Sequence, residues 1–143
     1  MHGLIYSREF GFNSEFEVGI ASKAAWILQS GEPFNRLWIM EIDGERAGSI
    51  AVSKADDGAA FVNFVLVLDA FRGRGIARKL MEHLMRYVVD SGVKTIRLET
   101  YTCLVHARQL YKSLGFTIAS SEKNCQRFGQ TLEQEYWELR PGG

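Results

Sequence analysis

The stretch FRGRGIARKL, residues 71–80, sets three arginines, one lysine and two glycines between two apolar runs of different character. Before it, AAFVNFVLVL (59–68) is nearly unbroken in apolar residues, the pattern of a central strand buried on both faces. After it, Ile76, Leu80, Leu84 and Val88 recur at helical spacing with Met81 and Met85 alongside, which predicts a helix ending near Gly92. A strand that enters a glycine turn and leaves as a helix makes a ready anion site. The first amides of the helix have no internal partners, and its dipole leaves partial positive charge there. Glycine lets the backbone come close to the anion because no Cβ intervenes. Gly73 and Gly75 provide that access, and Arg72, Arg74 and Arg78 can add charge-assisted bonds.

Known phosphate motifs narrow the anion. A Walker A loop needs GxxxxGK[ST], and no such string occurs. The dinucleotide pattern GxGxxG fails at its third glycine, which is Arg78, and no N-terminal βαβ unit hosts it. What remains is R-x-x-G-x-A, Arg72 to Ala77, directly after an apolar strand. Nucleic acid is a poor fit: Lys+Arg and Asp+Glu both number 17, the basic cluster is short, and no aromatic ladder accompanies it.

The rest of the chain fits one globular domain, residues 1–143, with enough apolar residues (46%) to fill a core. Cys103 and Cys125 make no disulfide framework, and no CxxC or His/Cys cluster points to a metal. No apolar run approaches the ~20 residues needed to cross a bilayer, and the N-terminus lacks a signal-peptide layout. A cytoplasmic protein without a membrane partner is therefore expected.

Further elements follow from pattern. LIYSREF (4–10) reads as a strand and residues 13–31 as a helix, with Ser14 and Glu17 placed for a capping box. Residues 36–54 read as a hairpin turning at Asp43-Gly44. KTIRLET (94–100) is a strand, and 105–115 a helix with Ala107, Leu110, Tyr111 and Leu114 on one stripe and Gly115 as its stop. FTIASSEK (116–123) and QEYWEL (134–139) are the last strands, joined by a polar loop, NCQRFGQTLE (124–133). The order βαβββαβαββ argues for an α+β fold of α/β/α layers, not a doubly wound sheet.

VLDAFRGRGIARKLM (67–81) resembles the acetyl-CoA signature of the GNAT N-acetyltransferases, Q/R-x-x-G-x-G/A after the fourth strand. Downstream, HARQLYKSLGF (106–116) resembles that family's A-x-x-L-Y-x-x-x-G-F, and the element order agrees over nearly the whole chain. At a finer level, residues 2–17 and 128–139 resemble the acetyltransferase half of proteins that fuse this domain to a MarR-type winged-helix regulator. The resemblance implies the acyl-CoA N-acyltransferase fold, a mixed and mostly antiparallel sheet flanked by helices. It also implies acetyl-CoA as co-substrate, no metal, and direct attack by an amine in a ternary complex.

Residue roles are carried over on the same footing. The strand at Leu66, Val67 and Leu68 would splay open and offer backbone groups to pantetheine, with the amide of Leu68 or Val67 on the thioester carbonyl. Arg72, Gly73, Arg74, Gly75, Ile76, Ala77 and Arg78 would bind the pyrophosphate, chiefly through backbone amides. Tyr111 stands where the family's tyrosine commonly protonates the departing thiolate; the alternative is a core tyrosine on the inner stripe of its helix. For the base, the fourth strand offers only Asn63, so Glu99 is the first candidate and Glu41 the second, with a surface carboxylate or a water chain as alternatives. Leu104 replaces the asparagine that the family often carries three residues before the alanine of the last helix, with His106 nearby. An acceptor platform would draw on Trp26, Phe34, Trp38 and Phe128 with Glu15, Glu17, Glu32 and Glu133, though most of these aromatics equally suit the core or an interface. The expected acceptor is a primary amine of a small metabolite; a peptide or protein amine, or a non-catalytic acyl-CoA sensor, are the alternatives. A homodimer formed by pairing of the final strands is compatible with this pattern.

Overall fold

The computed structural model describes residues 31–127 and 130–141, together with positions 25, 26 and 29. The strand expected at 4–10 and nearly all of the helix expected at 13–31 lie outside the described residues. In chain order the elements are β1 (Arg36–Ile42), β2 (Glu45–Lys54), β3 (Ala60–Val67), a short 3-10 turn (Asp69–Phe71), α1 (Ile76–Asp90), β4 (Ile96–Tyr101), α2 (Val105–Ser113), β5 (Thr117–Arg127) and β6 (Gln130–Leu139). The six described strands form one sheet in the order β1-β2-β3-β4-β6-β5. Only β3 and β4 run parallel; the other neighbours are antiparallel. This is the expected mixed, mostly antiparallel sheet.

The β1–β2 hairpin turns at Asp43 (φ 53°) and Gly44 (φ 80°), the paired left-handed conformations that a two-residue turn requires. The apolar stripe of α1 closes the core: Met81, Leu84 and Val88 are fully buried and pack with Ile50, Val52, Ile96 and Leu98 of the sheet. Gly48 on β2 makes this packing close. A Cβ there would lie 2.5 Å from the Leu66 carbonyl oxygen, 3.2 Å from Leu80 Cδ1 and 3.3 Å from Ile76 Cγ2.

The last two strands depart from expectation. The polar segment 124–133 is not a loop: Cys125 pairs with Leu132, Gln126 with Thr131 and Arg127 with Gln130. β4 pairs with β6 only as far as Gln134, so the hairpin continues past the sheet as a two-stranded ribbon. Such a ribbon pairs one edge of each strand, leaves the other edge to water and needs no apolar alternation, which is why hydrophobic pattern did not reveal it.

Candidate active site

The site begins with a misfit between strands. β3 stays paired with β2 up to Val67, and β4 stays paired with β6 up to Tyr101. Between β3 and β4, however, pairing covers only Ala60↔Ile96, Phe61↔Arg97 and Val62↔Leu98. Immediately beyond, the β2–β3 register shifts between Ala51 and Val52, whose partners are Phe64 and Val62, so Asn63 is skipped. A bulge of this kind bends its strand and increases its twist. Asn63 Nδ2 secures the bend by donating to Ser53 Oγ (2.8 Å) and to the Phe61 carbonyl (3.2 Å). Thus β3 swings away from β4 from Asn63 onward, and the sheet splits.

The alternation of an antiparallel ladder decides which amides face the split. Leu68 N–H donates to the Ala47 carbonyl at 2.9 Å, so it points toward β2. Its neighbour Val67, opposite Gly48, is the non-bonded member of the alternation and directs its N–H and C=O into the split. Of the two amides expected to reach a thioester, Val67 is the one so aimed; Leu68 is engaged elsewhere. Leu66 is 1% exposed.

At the end of β3 the chain makes its 3-10 turn and enters the glycine segment. Gly73 (φ 78°) and Gly75 (φ 73°) both hold left-handed conformations, and a Cβ at either would meet nothing within 4 Å. Gly75 is the N-cap of α1, and no side chain caps the helix there. Open space, uncapped helical amides and a positive dipole end coincide, the arrangement that accepts a phosphate group. Two of the arginines are built into their surroundings. The Arg74 guanidinium lies 5.1 Å over the Phe71 ring, and Arg78 Nη2 donates to Ser113 Oγ, tying the first turn of α1 to the end of α2.

Between these helices and the split lies a cleft of about 830 Å³. Arg72, Gly73, Gly75, Ile76, Ala77 and Arg78 line one end of it. Val65, Val67 and Phe71 form the apolar floor, and Leu104, His106, Ala107, Leu110 and Tyr111 come from the α2 side. Arg74, Leu66 and Leu68 of the expected set do not line it. Leu104 is buried at the N-cap of α2, so an apolar side chain lines the cleft at the position where the resemblance would place asparagine. Exposed His106 sits at the rim.

Tyr111 is placed by the end of its helix. Gly115 (φ 99°) lets its N–H donate to the Lys112 carbonyl (3.1 Å) while Phe116 N–H donates to the Tyr111 carbonyl (3.0 Å). This Schellman closure comes with its usual apolar contact, the Phe116 ring 6.1 Å from that of Tyr111. The spacing of tyrosine, glycine and phenylalanine in LYKSLGF is thus a helix stop that fixes the tyrosine. Trp137 of β6 adds an edge-on contact at 6.3 Å, and the Tyr111 side chain is buried while lining the cleft.

Glu99 stands elsewhere. It is exposed and pairs with Tyr136 across β4–β6, whereas Leu98 and Trp137 occupy the face covered by α2. Its Oε2 accepts from Gln134 Nε2 at 2.9 Å, and Tyr136 Oη lies 3.3 Å from Gln134 Oε1. Glu99 therefore borders the split from the sheet face opposite the cleft. Glu41 is exposed near the β1–β2 turn, on a strand that β2 separates from β3. Of the four aromatics named for an acceptor platform, two take the core reading, since the buried Phe34 and half-buried Trp38 pack against Tyr87 of α1 at 5.2 Å each. Trp26 is exposed, and Phe128 lies outside the described residues. Cys103, before α2, has its thiol pushed up by burial, which makes it a poor nucleophile. Among the described residues no group of three or more His, Cys, Asp or Glu could hold a metal ion, and no helix is long and apolar enough to cross a membrane.

Comparison with known proteins agrees with this geometry. Residues 5–116 match the Acetyltransferase (GNAT) family. The chain is 34% identical to a streptothricin acetyltransferase of Escherichia coli over 54% of this chain and 44% of that one. It is 31% identical to the ribosomal protein bS18-alanine N-acetyltransferase of Salmonella typhimurium over 71% of this chain and 78% of the relative. In fold it is similar to a Salmonella typhimurium protein solved with its cofactor acetyl-CoA, with a TM-score of 0.72 and 21% identity, covering 90% of this chain and 75% of that one. The split sheet, the glycine turn and the matched sequence agree: this chain belongs to the acetyltransferase (GNAT) family of acetyl-CoA-dependent N-acetyltransferases.

Proposed function

We propose that this protein moves the acetyl group of acetyl-CoA to a primary amine of a small metabolite by direct attack in a ternary complex. One observation carries the reading: the split between β3 and β4 runs into a cleft bounded by the uncapped start of α1 and by Tyr111. Acetyl-CoA supplies the thioester that the amine attacks. The backbone amides from Gly73 to Arg78 hold its pyrophosphate, and the apolar floor of Val65, Val67 and Phe71 receives the pantetheine. Val67 N–H donates to the carbonyl oxygen as it gains charge. Tyr111 gives its proton to the departing sulfur. Glu99 receives the proton lost by the amine from the opposite face of the sheet, its carboxylate oriented by Gln134.

A free thiol has a pKa of roughly 8.5 and leaves fairly well, so the acid contributes at the low end of such effects, about 10–100-fold. Tyr111→Phe should lower kcat by that factor with little change in thermal midpoint, since the ring contacts survive. Unchanged turnover would remove the acid role. Release of CoA thiol with a panel of alkyl amines, α-amino acids and an alanine-terminated peptide tests the whole reading. Turnover with none of them refutes it and leaves acyl-CoA sensing, the role that the likeness of the terminal stretches to MarR-fused acetyltransferase halves would favour. Preference for the peptide supports the second reading, a peptide or protein N-acetyltransferase, which the likeness to the bS18-alanine enzyme favours. We further place the protein in the cytoplasm as a single domain over residues 1–143, without metal or nucleic-acid partner.

A further inference from the structure

Glu135 is a carboxylate that the cleft lining does not include. It is 4% exposed, on β6 opposite Thr100 of β4, where β4 borders the split. A charge withdrawn this far from water is costly unless it is paired and hydrogen-bonded. Its two oxygens accept both arms of one guanidinium, Arg108 Nε at 2.8 Å and Nη2 at 3.1 Å. Oε1 also accepts the indole N–H of Trp137 at 3.2 Å. Both partners lead to Tyr111. Arg108 lies three residues before it on α2, on the same side of the helix. Trp137 is the edge-on neighbour of the phenol ring.

We propose that Glu135, through Arg108 and Trp137, is a positioning residue for Tyr111. An apolar residue in place of Glu135 would pack as well or better, so stability alone does not call for a buried carboxylate paired to the partly exposed Arg108. A bidentate fork fixes what apolar contact leaves loose, the rotation of α2 about its own axis, and with it the direction of the phenol. The inference rests on the acid role of Tyr111.

A double-mutant cycle of Tyr111→Phe with Glu135→Gln tests it, using acetyl-CoA and the fastest amine of the panel. Arg108→Lys, which keeps the charge and loses the fork at a partly exposed position, makes a second cycle should Glu135→Gln fold poorly. The expected result is a kcat about 10-fold lower for Glu135→Gln. KM for acetyl-CoA should stay within about twofold, and the double variant should be no slower than Tyr111→Phe alone. Multiplying losses, or a kcat untouched by both Glu135→Gln and Arg108→Lys while Tyr111→Phe is impaired, would overturn this inference alone. Unchanged kcat in Tyr111→Phe would overturn the acid role and the inference together.

Discussion

A Gly75→Glu variant is expected to fold and to lose acetyl-CoA. Gly75 holds φ 73° at the N-cap of α1. A side chain there strains the backbone by about 1–2 kcal/mol, which a domain with this core can absorb. The open space around it means that no clash adds to that strain. The larger effect is on binding, because the carboxylate enters the volume assigned to the pyrophosphate. Two unit charges about 6 Å apart at an effective dielectric near 20 repel by about 3 kcal/mol, roughly a hundredfold in affinity. Thermal shift reads this directly. Ligand at about 100 times Kd stabilises the native state by about 2.7 kcal/mol, and the variant at the same concentration should gain only a few tenths. Gly75→Ala separates strain from charge, since it should keep most of the shift. An equal shift in wild type and Gly75→Glu would place the ligand elsewhere.

The second large effect is expected at Gly48, far from any motif. A Cβ there meets the Leu66 carbonyl oxygen at 2.5 Å, and backbone cannot turn aside as a flexible side chain can. It also presses on Leu80 and Ile76, the residues that seat the first turns of α1 on β2. Gly48→Ala should cost about 1–3 kcal/mol in denaturant unfolding, and Gly48→Val more. Acetyl-CoA affinity should fall with it, because Val67, opposite Gly48, directs its amide into the split and Ile76 begins α1 directly after the turn proposed to hold the pyrophosphate. A Gly48→Val variant as stable as wild type would show that β2 and β3 are less closely packed than these distances require.

What the chain's pattern revealed, and what it hid, divides along physical lines. The glycine turn, α1 and the hairpin at Asp43-Gly44 are local: turn chemistry and periodicity act within a few residues, so they are legible. Tyr111 was legible as a position, and the structure supplies the reason for its spacing, the Gly115–Phe116 helix stop. The split was named only through family likeness. It arises from a register shift at Asn63, and register is a relation between strands that no single strand encodes. For the same reason Gly48 looked like any strand residue, and Glu135 like one of several acids in a polar strand. Phe34 and Trp38 stay open between core and acceptor surface on pattern alone, because aromatics suit both. Their contacts with Tyr87 decide for the core.

The most direct measurement is a calorimetric titration of the wild-type chain with acetyl-CoA. One site per chain with micromolar affinity is the predicted result, since the uncapped helix start and the cleft are already formed. Absence of binding heat from a chain that unfolds cooperatively would contradict the account, and would leave the split sheet and its glycine turn as features of the fold alone.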